Sequence, residues 1–146
     1  MNIVAGVDGS PGSREALRWA LAEARLRQTP LQVVYAWEFP HLPVGPGIAP
    51  PITADTVSRL REAAEDVLDT ALAETGDELE GVEIRRAVVE GPAASVLVEA
   101  AEGADLLVVG SRGLGGFRGL LLGSVSQQCA HHASCPVVIV RAPRGD

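Results

Sequence analysis

Leu106–Val109 is apolar at every position, is entered through Asp105 and is left through Gly110. A strand exposed on one face alternates apolar and polar residues. A strand apolar throughout is buried on both faces, which places it inside a parallel sheet with helices on either side. The residues that follow are as constraining. Gly110, Gly113, Gly115, Gly116 and Gly119 fall within ten positions, and Gly123 precedes Ser124. Glycine at that density weakens the backbone unless it must turn sharply or approach something closely.

The rest of the chain supplies the parallel sheet. Residues 2–8 form a short apolar run ending in Asp8, followed by the turn signal GSPGS. Ser10-Pro11 reads as an N-cap with proline in the first helical position. Ala16, Leu17, Ala20, Leu21 and Ala24 recur at helical spacing, so 11–28 is a helix that Gln28-Thr29-Pro30 ends. Leu31–Glu38 is a second strand, and strand–helix–strand implies a parallel pair with a right-handed crossover. Residues 39–51 hold five prolines and two glycines and read as a long irregular loop. A second helix spans 53–75, with Val57, Leu60, Ala64, Val67, Leu68, Ala71 and Leu72 on one face. Val82–Glu90 is a third strand whose Arg85 and Arg86 suit a sheet edge. Gly91-Pro92 opens a third helix, ended by Gly103. After the central strand and glycine-rich loop come a fourth helix, 124–134, and a fifth strand, 135–141.

The alternation predicts one domain over 1–146: α/β, an open doubly wound five-stranded parallel sheet with helices on both faces. Two strand orders are common, 3-2-1-4-5 and 2-1-3-4-5. The first makes strands one and four neighbours and puts the ligand crevice beyond Val7-Asp8 and Val109-Gly110. The unusual residues lie at both of those places, which favours it.

Composition narrows the function. The chain has 12 basic residues, all arginine, against 19 acidic ones, a net charge of −7. That balance argues against nucleic acid as a partner, and the absence of lysine removes Schiff-base chemistry and a P-loop lysine. No apolar run is long enough to cross a membrane. The start lacks a basic segment and signal-like apolar core, so a cytoplasmic location is expected. Cys129 and Cys135 match neither a CxxC redox pair nor a zinc pattern and read as small apolar side chains in a reducing compartment.

At the crevice the residue types suit a nucleotide. Gly110 and Gly113 permit close backbone approach. Gly123-Ser124 opens a helix whose N-terminus attracts anions, with Ser124 and Ser126 as hydroxyl donors. Asp8 is an acceptor suited to ribose or a metal, and Arg112 and Arg118 can pair with phosphate. Plainer roles remain open: an idle glycine loop, Ser124 as an N-cap, Asp8 as part of the DGS turn, Arg118 solvated. GxxxxGK[ST] is absent, and GxGxxG fails because position 118 is arginine. The SGGxDS loop of the adenylating pyrophosphatase-type enzymes is also missing after strand one. His131 and His132 lie too far along their helix to serve the phosphate end.

Gly110-x2-Gly113-x9-Gly123-Ser124 resembles the G-2x-G-9x-G-[S/T] ATP-binding signature of the universal stress protein family. The likeness extends over residues 3–20, Gly91-Pro92, 104–113 and 123–141. It implies a Rossmann-like sheet in order 3-2-1-4-5 that holds ATP, alone or with Mg2+. Adenine would lie near Val7, Asp8 and Ala36, with Asp8 meeting the ribose. Gly110, Arg112 and Gly113 would wrap ribose and phosphates beside Val109, and Gly123, Ser124, Val125 and Ser126 would grip the phosphates. It also implies a homodimer through antiparallel pairing of Val137–Val140, and a nucleotide-responsive stress protein without fast chemistry. The alternatives are a slow ATP hydrolase or phosphotransferase, with Asp8 as metal ligand and Arg112 as charge stabiliser, and a nucleotide-free dimeric scaffold.

Overall fold

Five strands run parallel in the order β3-β2-β1-β4-β5. They are β1 (Ile3–Val7), β2 (Leu31–Trp37), β3 (Ile84–Glu90), β4 (Leu106–Gly110) and β5 (Val137–Val140), joined through α1 (Pro11–Arg27), α2 (Ala54–Thr75), α3 (Ala93–Ala100) and α4 (Ser124–His132). The computed structural model describes residues 1–38, 52–112 and 122–142. The proline-rich segment 39–51, positions 113–121 and the last four residues lie outside it. With them lie the expectations for Gly113, Gly115, Gly116, Arg118 and Gly119.

Alternate residues of each strand supply two apolar layers. Ile3, Ala5, Val7, Leu31, Val33, Leu106 and Val108 face α1 and α2, joining Leu17, Leu21, Leu68 and Leu72. Val4, Val34, Leu107 and Val109 face α3 and α4, joining Val96, Leu97 and Cys129. The continuous run in β4 therefore splits between two cores, and Leu107 and Val108 are completely buried. Each fully buried leucine or valine contributes roughly 1.5–3 kcal/mol, so the central strands carry much of the stability.

Local chemistry sets the helix ends. Ser10 caps α1 by accepting from the Ser13 amide at 3.2 Å, with Pro11 in the first turn, and Gln28 closes it in the left-handed region at φ 54°. Thr53 caps α2 through the Thr56 amide. Arg85 and Arg86 are exposed on β3, at one edge of the sheet. Several elements are shorter than the sequence pattern predicts, by two residues at β3, which starts at Ile84, at α4, which stops at His132, and at β5, which starts at Val137. In the connection after α2, Gly76–Leu79 forms a 3-10 turn. Arg25 near the end of α1 donates to the backbone carbonyls of Glu78 and Glu80 there.

Candidate functional site

The central pair of strands parts at its carboxyl end. β1 stays in register with β2 as far as Val7↔Tyr35, and β4 with β5 as far as Gly110↔Val140. Between β1 and β4 the register stops at Ala5↔Val108. The last residues of both strands, Gly6-Val7 and Val109-Gly110, thus flank a gap in the middle of the sheet. This is where an open parallel sheet holds its ligand.

The β1 side of the gap is a tight polar turn. Asp8 is half-buried, and its Oδ1 accepts from the Ser10 amide at 2.9 Å. The Asp8 amide donates to Ser13 Oγ at 3.2 Å, and that hydroxyl donates to the Ser10 carbonyl at 3.0 Å. Asp8 therefore serves the turn with one oxygen, and its acidic group stands at the end of β1.

The β4 side meets α1 without side chains between them. A Cβ on Gly12 would lie 2.8 Å from the Arg112 carbonyl oxygen. A Cβ on Gly110 would lie 2.8 Å from the carbonyl carbon of Gly12. The missing side chain of Gly110 admits the first turn of α1. Arg112 is exposed.

Ser111 joins the third component. Its amide donates to the Val140 carbonyl at 2.9 Å, and its carbonyl accepts from the Gly123 amide at 2.6 Å. The same carbonyl accepts from Ser126 Oγ at 2.9 Å, and Ser126 Oγ also lies 3.0 Å from the Gly123 carbonyl. Ser126 is only 2% exposed. Gly123 is the N-cap of α4 and has no side chain to cap with, while Ser124, expected as a possible cap, is the exposed first residue of the helix. The amides of a first helical turn have no intrahelical acceptor and carry the positive end of the helix dipole.

Val7 and Val109 are 5% and 3% exposed core residues. Ala36 and Val125 pack at the margin of the same core as Val109. These four can meet a ligand only at the edge of the core or through backbone. Gly12, Ser13 and Ser111 belong to the site's framework and escaped the sequence reading. The repeated Gly-Ser of GSPGS and the serine after Gly110 were the available signals. His131 and His132 occupy the last turn of α4, at the end away from Gly123. Among the described residues no group of three or more His, Cys, Asp or Glu could hold a metal. Cys129 is buried and Cys135 half-buried, both as free thiols; burial pushes Cys129 up to about 11 and raises Cys135 as well. A cleft of about 300 Å³ beside the β1–α1 turn is lined by Gly9, Arg14, Asp66, Val67, Thr70, Ala71 and Glu74. Arg14 and Glu74 pair there at 3.1 Å with both side chains exposed. Among the described residues no helix is long and apolar enough to cross a membrane.

A parallel sheet in this order, with a central gap flanked by an acidic strand end and a helix N-terminus, defines a Rossmann-like α/β domain. The chain belongs to the universal stress protein family, whose model matches residues 1–141. It is 38% identical over 141 residues to a universal stress protein of Thermus aquaticus, covering 95% of this chain and 97% of that protein. It is 39% identical over 139 residues to universal stress protein Rv2623 of Mycobacterium tuberculosis, covering 95% of this chain and 44% of that protein. The chain thus spans a little under half the length of that relative. A universal stress protein solved in complex with cAMP is 30% identical, with a TM-score of 0.62 and 98% of both chains covered.

Proposed function

We propose that this protein binds an adenine nucleotide, ATP first among them, and acts as a nucleotide-responsive regulator without fast chemistry. The observation that carries the reading is the gap where β1 and β4 part after Ala5↔Val108, flanked by Asp8, Gly110 and the α4 N-terminus. The G-2x-G-9x-G-[S/T] spacing connects the last two of these.

The residues present fit the group. Asp8 would accept from the ribose, with Val7, Ala36 and Val109 forming the apolar surroundings of the base. Gly110, Arg112 and Gly113 would line the path from ribose to phosphates, and the Ser124 and Val125 amides would meet the phosphates at the start of α4. Bound ATP supplies a polyanion that these donors recognise. Mg2+ would arrive on the phosphates, since it is commonly held by one carboxylate together with substrate oxygens. The protein would form a homodimer through the outer edge of Val137–Val140, in the cytoplasm.

Isothermal titration with ATP, with and without Mg2+, tests the reading; no heat and no thermal shift at millimolar ATP would end it. The cAMP-bound relative supports a second reading, in which the site prefers a cyclic monophosphate. Competition between ATP and cAMP separates the two. Steady turnover well above about 1 s⁻¹, within the ordinary enzyme range, would favour a hydrolase or phosphotransferase instead.

A further inference from the structure

We propose that Ser126 is a positioning residue of the nucleotide site and not a phosphate ligand, an inference that rests on the nucleotide reading above. The resemblance to the family would make its hydroxyl a phosphate donor. The geometry gives that hydroxyl another task.

Ser126 Oγ has one proton and two carbonyl oxygens within reach, Ser111 O at 2.9 Å and Gly123 O at 3.0 Å. Phosphate oxygens at neutral pH are acceptors, so the hydroxyl could serve a phosphate only by giving up both carbonyls. It is 2% exposed, and abandoning hydrogen-bonded partners in a buried setting is unfavourable. The Gly123 amide is committed in the same way, to Ser111 O at 2.6 Å.

Together these bonds fasten the start of α4 to the end of β4. Ser111 is held by β5 through its amide and the Val140 carbonyl. Its carbonyl then takes two donors, Gly123 N and Ser126 Oγ, which fills the two lone pairs of a carbonyl oxygen. The helix start is therefore registered against two strands of the sheet. The donors that remain for an anion are the first-turn amides, beginning at Ser124 and Val125, and the exposed Ser124 hydroxyl. Ser126 fixes where they stand.

The test uses the full chain with two variants, Ser126→Ala and Ser124→Ala. Amide hydrogen exchange at Gly123 is read without nucleotide, and ATP affinity is read by titration. Ser126→Ala should speed Gly123 exchange at least tenfold and weaken ATP about tenfold. Ser124→Ala should weaken ATP and leave Gly123 exchange unchanged. Weakened ATP binding in Ser126→Ala with Gly123 exchange as in the parent would overturn the proposal in favour of a direct phosphate contact. Faster exchange with unchanged ATP affinity would overturn it in favour of a purely structural bond. A parent chain that binds no ATP removes the nucleotide reading itself, a result distinct from either variant outcome.

Discussion

Gly110 and Gly12 meet backbone to backbone: a Cβ on Gly110 would lie 2.8 Å from the carbonyl carbon of Gly12 and 3.2 Å from the Ser13 amide nitrogen. The reciprocal Cβ on Gly12 would lie 2.8 Å from Arg112 O. Neither obstacle is a side chain that can rotate away, so α1 or the end of β4 must move. Gly110→Ala and Gly12→Ala should each lower stability by about 1–3 kcal/mol, the usual cost of overpacking. For a chain of this size that shifts the midpoint by roughly 5 °C. Urea unfolding without nucleotide checks it. Unchanged midpoints for both variants would show that this seam yields at no cost.

The alternation of strands and helices was legible in the sequence because it follows from periodicity and from where the apolar runs sit, whereas the strand order was favoured by the unusual residues at two strand ends. The α1 start was equally legible, since Ser10-Pro11 caps by side-chain chemistry that stays within one turn. The site was half legible. Spacing placed Asp8, Gly110 and Gly123 together, yet the packing of Gly12 on Gly110 was hidden, because nothing local says that the two come to rest on each other. The bond from Ser126 to Ser111 was hidden for the same reason: the two lie fifteen residues apart, and only the fold brings them together.

Cys129 should make stability fall in alkali. Burial lifts its thiol from the ordinary 9.0 to about 11, so the folded state holds a proton that the unfolded chain releases. This contribution is fully present below about pH 9 and is lost as pH rises toward 11. The whole span amounts to about 3 kcal/mol at 1.36 kcal/mol per unit. Urea titrations at pH 8 and pH 10.5 should show a drop in the parent that is much reduced in Cys129→Ala. Half-buried Cys135 should also react with a thiol reagent before Cys129 does. Equal pH slopes in parent and variant would contradict the assignment.

The outer edge of β5 offers a test of the proposed dimer that leaves the sheet intact. The Pro136 carbonyl accepts from Leu107 in β4, and the Val140 carbonyl from Ser111 just past its end. Backbone groups alternate in direction along a strand, so those of Val137 and Ile139 turn outward. Proline is tolerated at the first residue of a strand and where the N–H faces away from the ladder. Val137→Pro should therefore keep the fold and weaken dimerisation more than tenfold, whereas Val138→Pro should unfold the chain by breaking its bond to β4. Sedimentation velocity across a concentration series reads the first, and circular dichroism the second. A Val137→Pro dimer as tight as the parent's would move the interface elsewhere.

Asp8 holds the turn after β1, and the nucleotide reading gives it a second role that one substitution separates. Its Oδ1 accepts from the Ser10 amide at 2.9 Å, and an asparagine carbonyl can accept that bond in the same geometry. Asp8→Asn should thus keep the turn bond to Ser10, and urea unfolding without nucleotide reads what the change costs the fold. A ribose hydroxyl given to a carboxylate is a hydrogen bond to a charged group, worth about 1.5–3 kcal/mol against about 0.5–1.5 for a neutral acceptor. The variant should bind ATP about five- to tenfold more weakly. It should also discriminate less between ATP and 2′-deoxy-ATP, because the bond that reads the hydroxyl has lost its charge. The four affinities form a cycle whose coupling isolates that bond from the turn. If parent and variant show the same ratio between the two nucleotides, Asp8 is a turn residue alone and the ribose is held by something else.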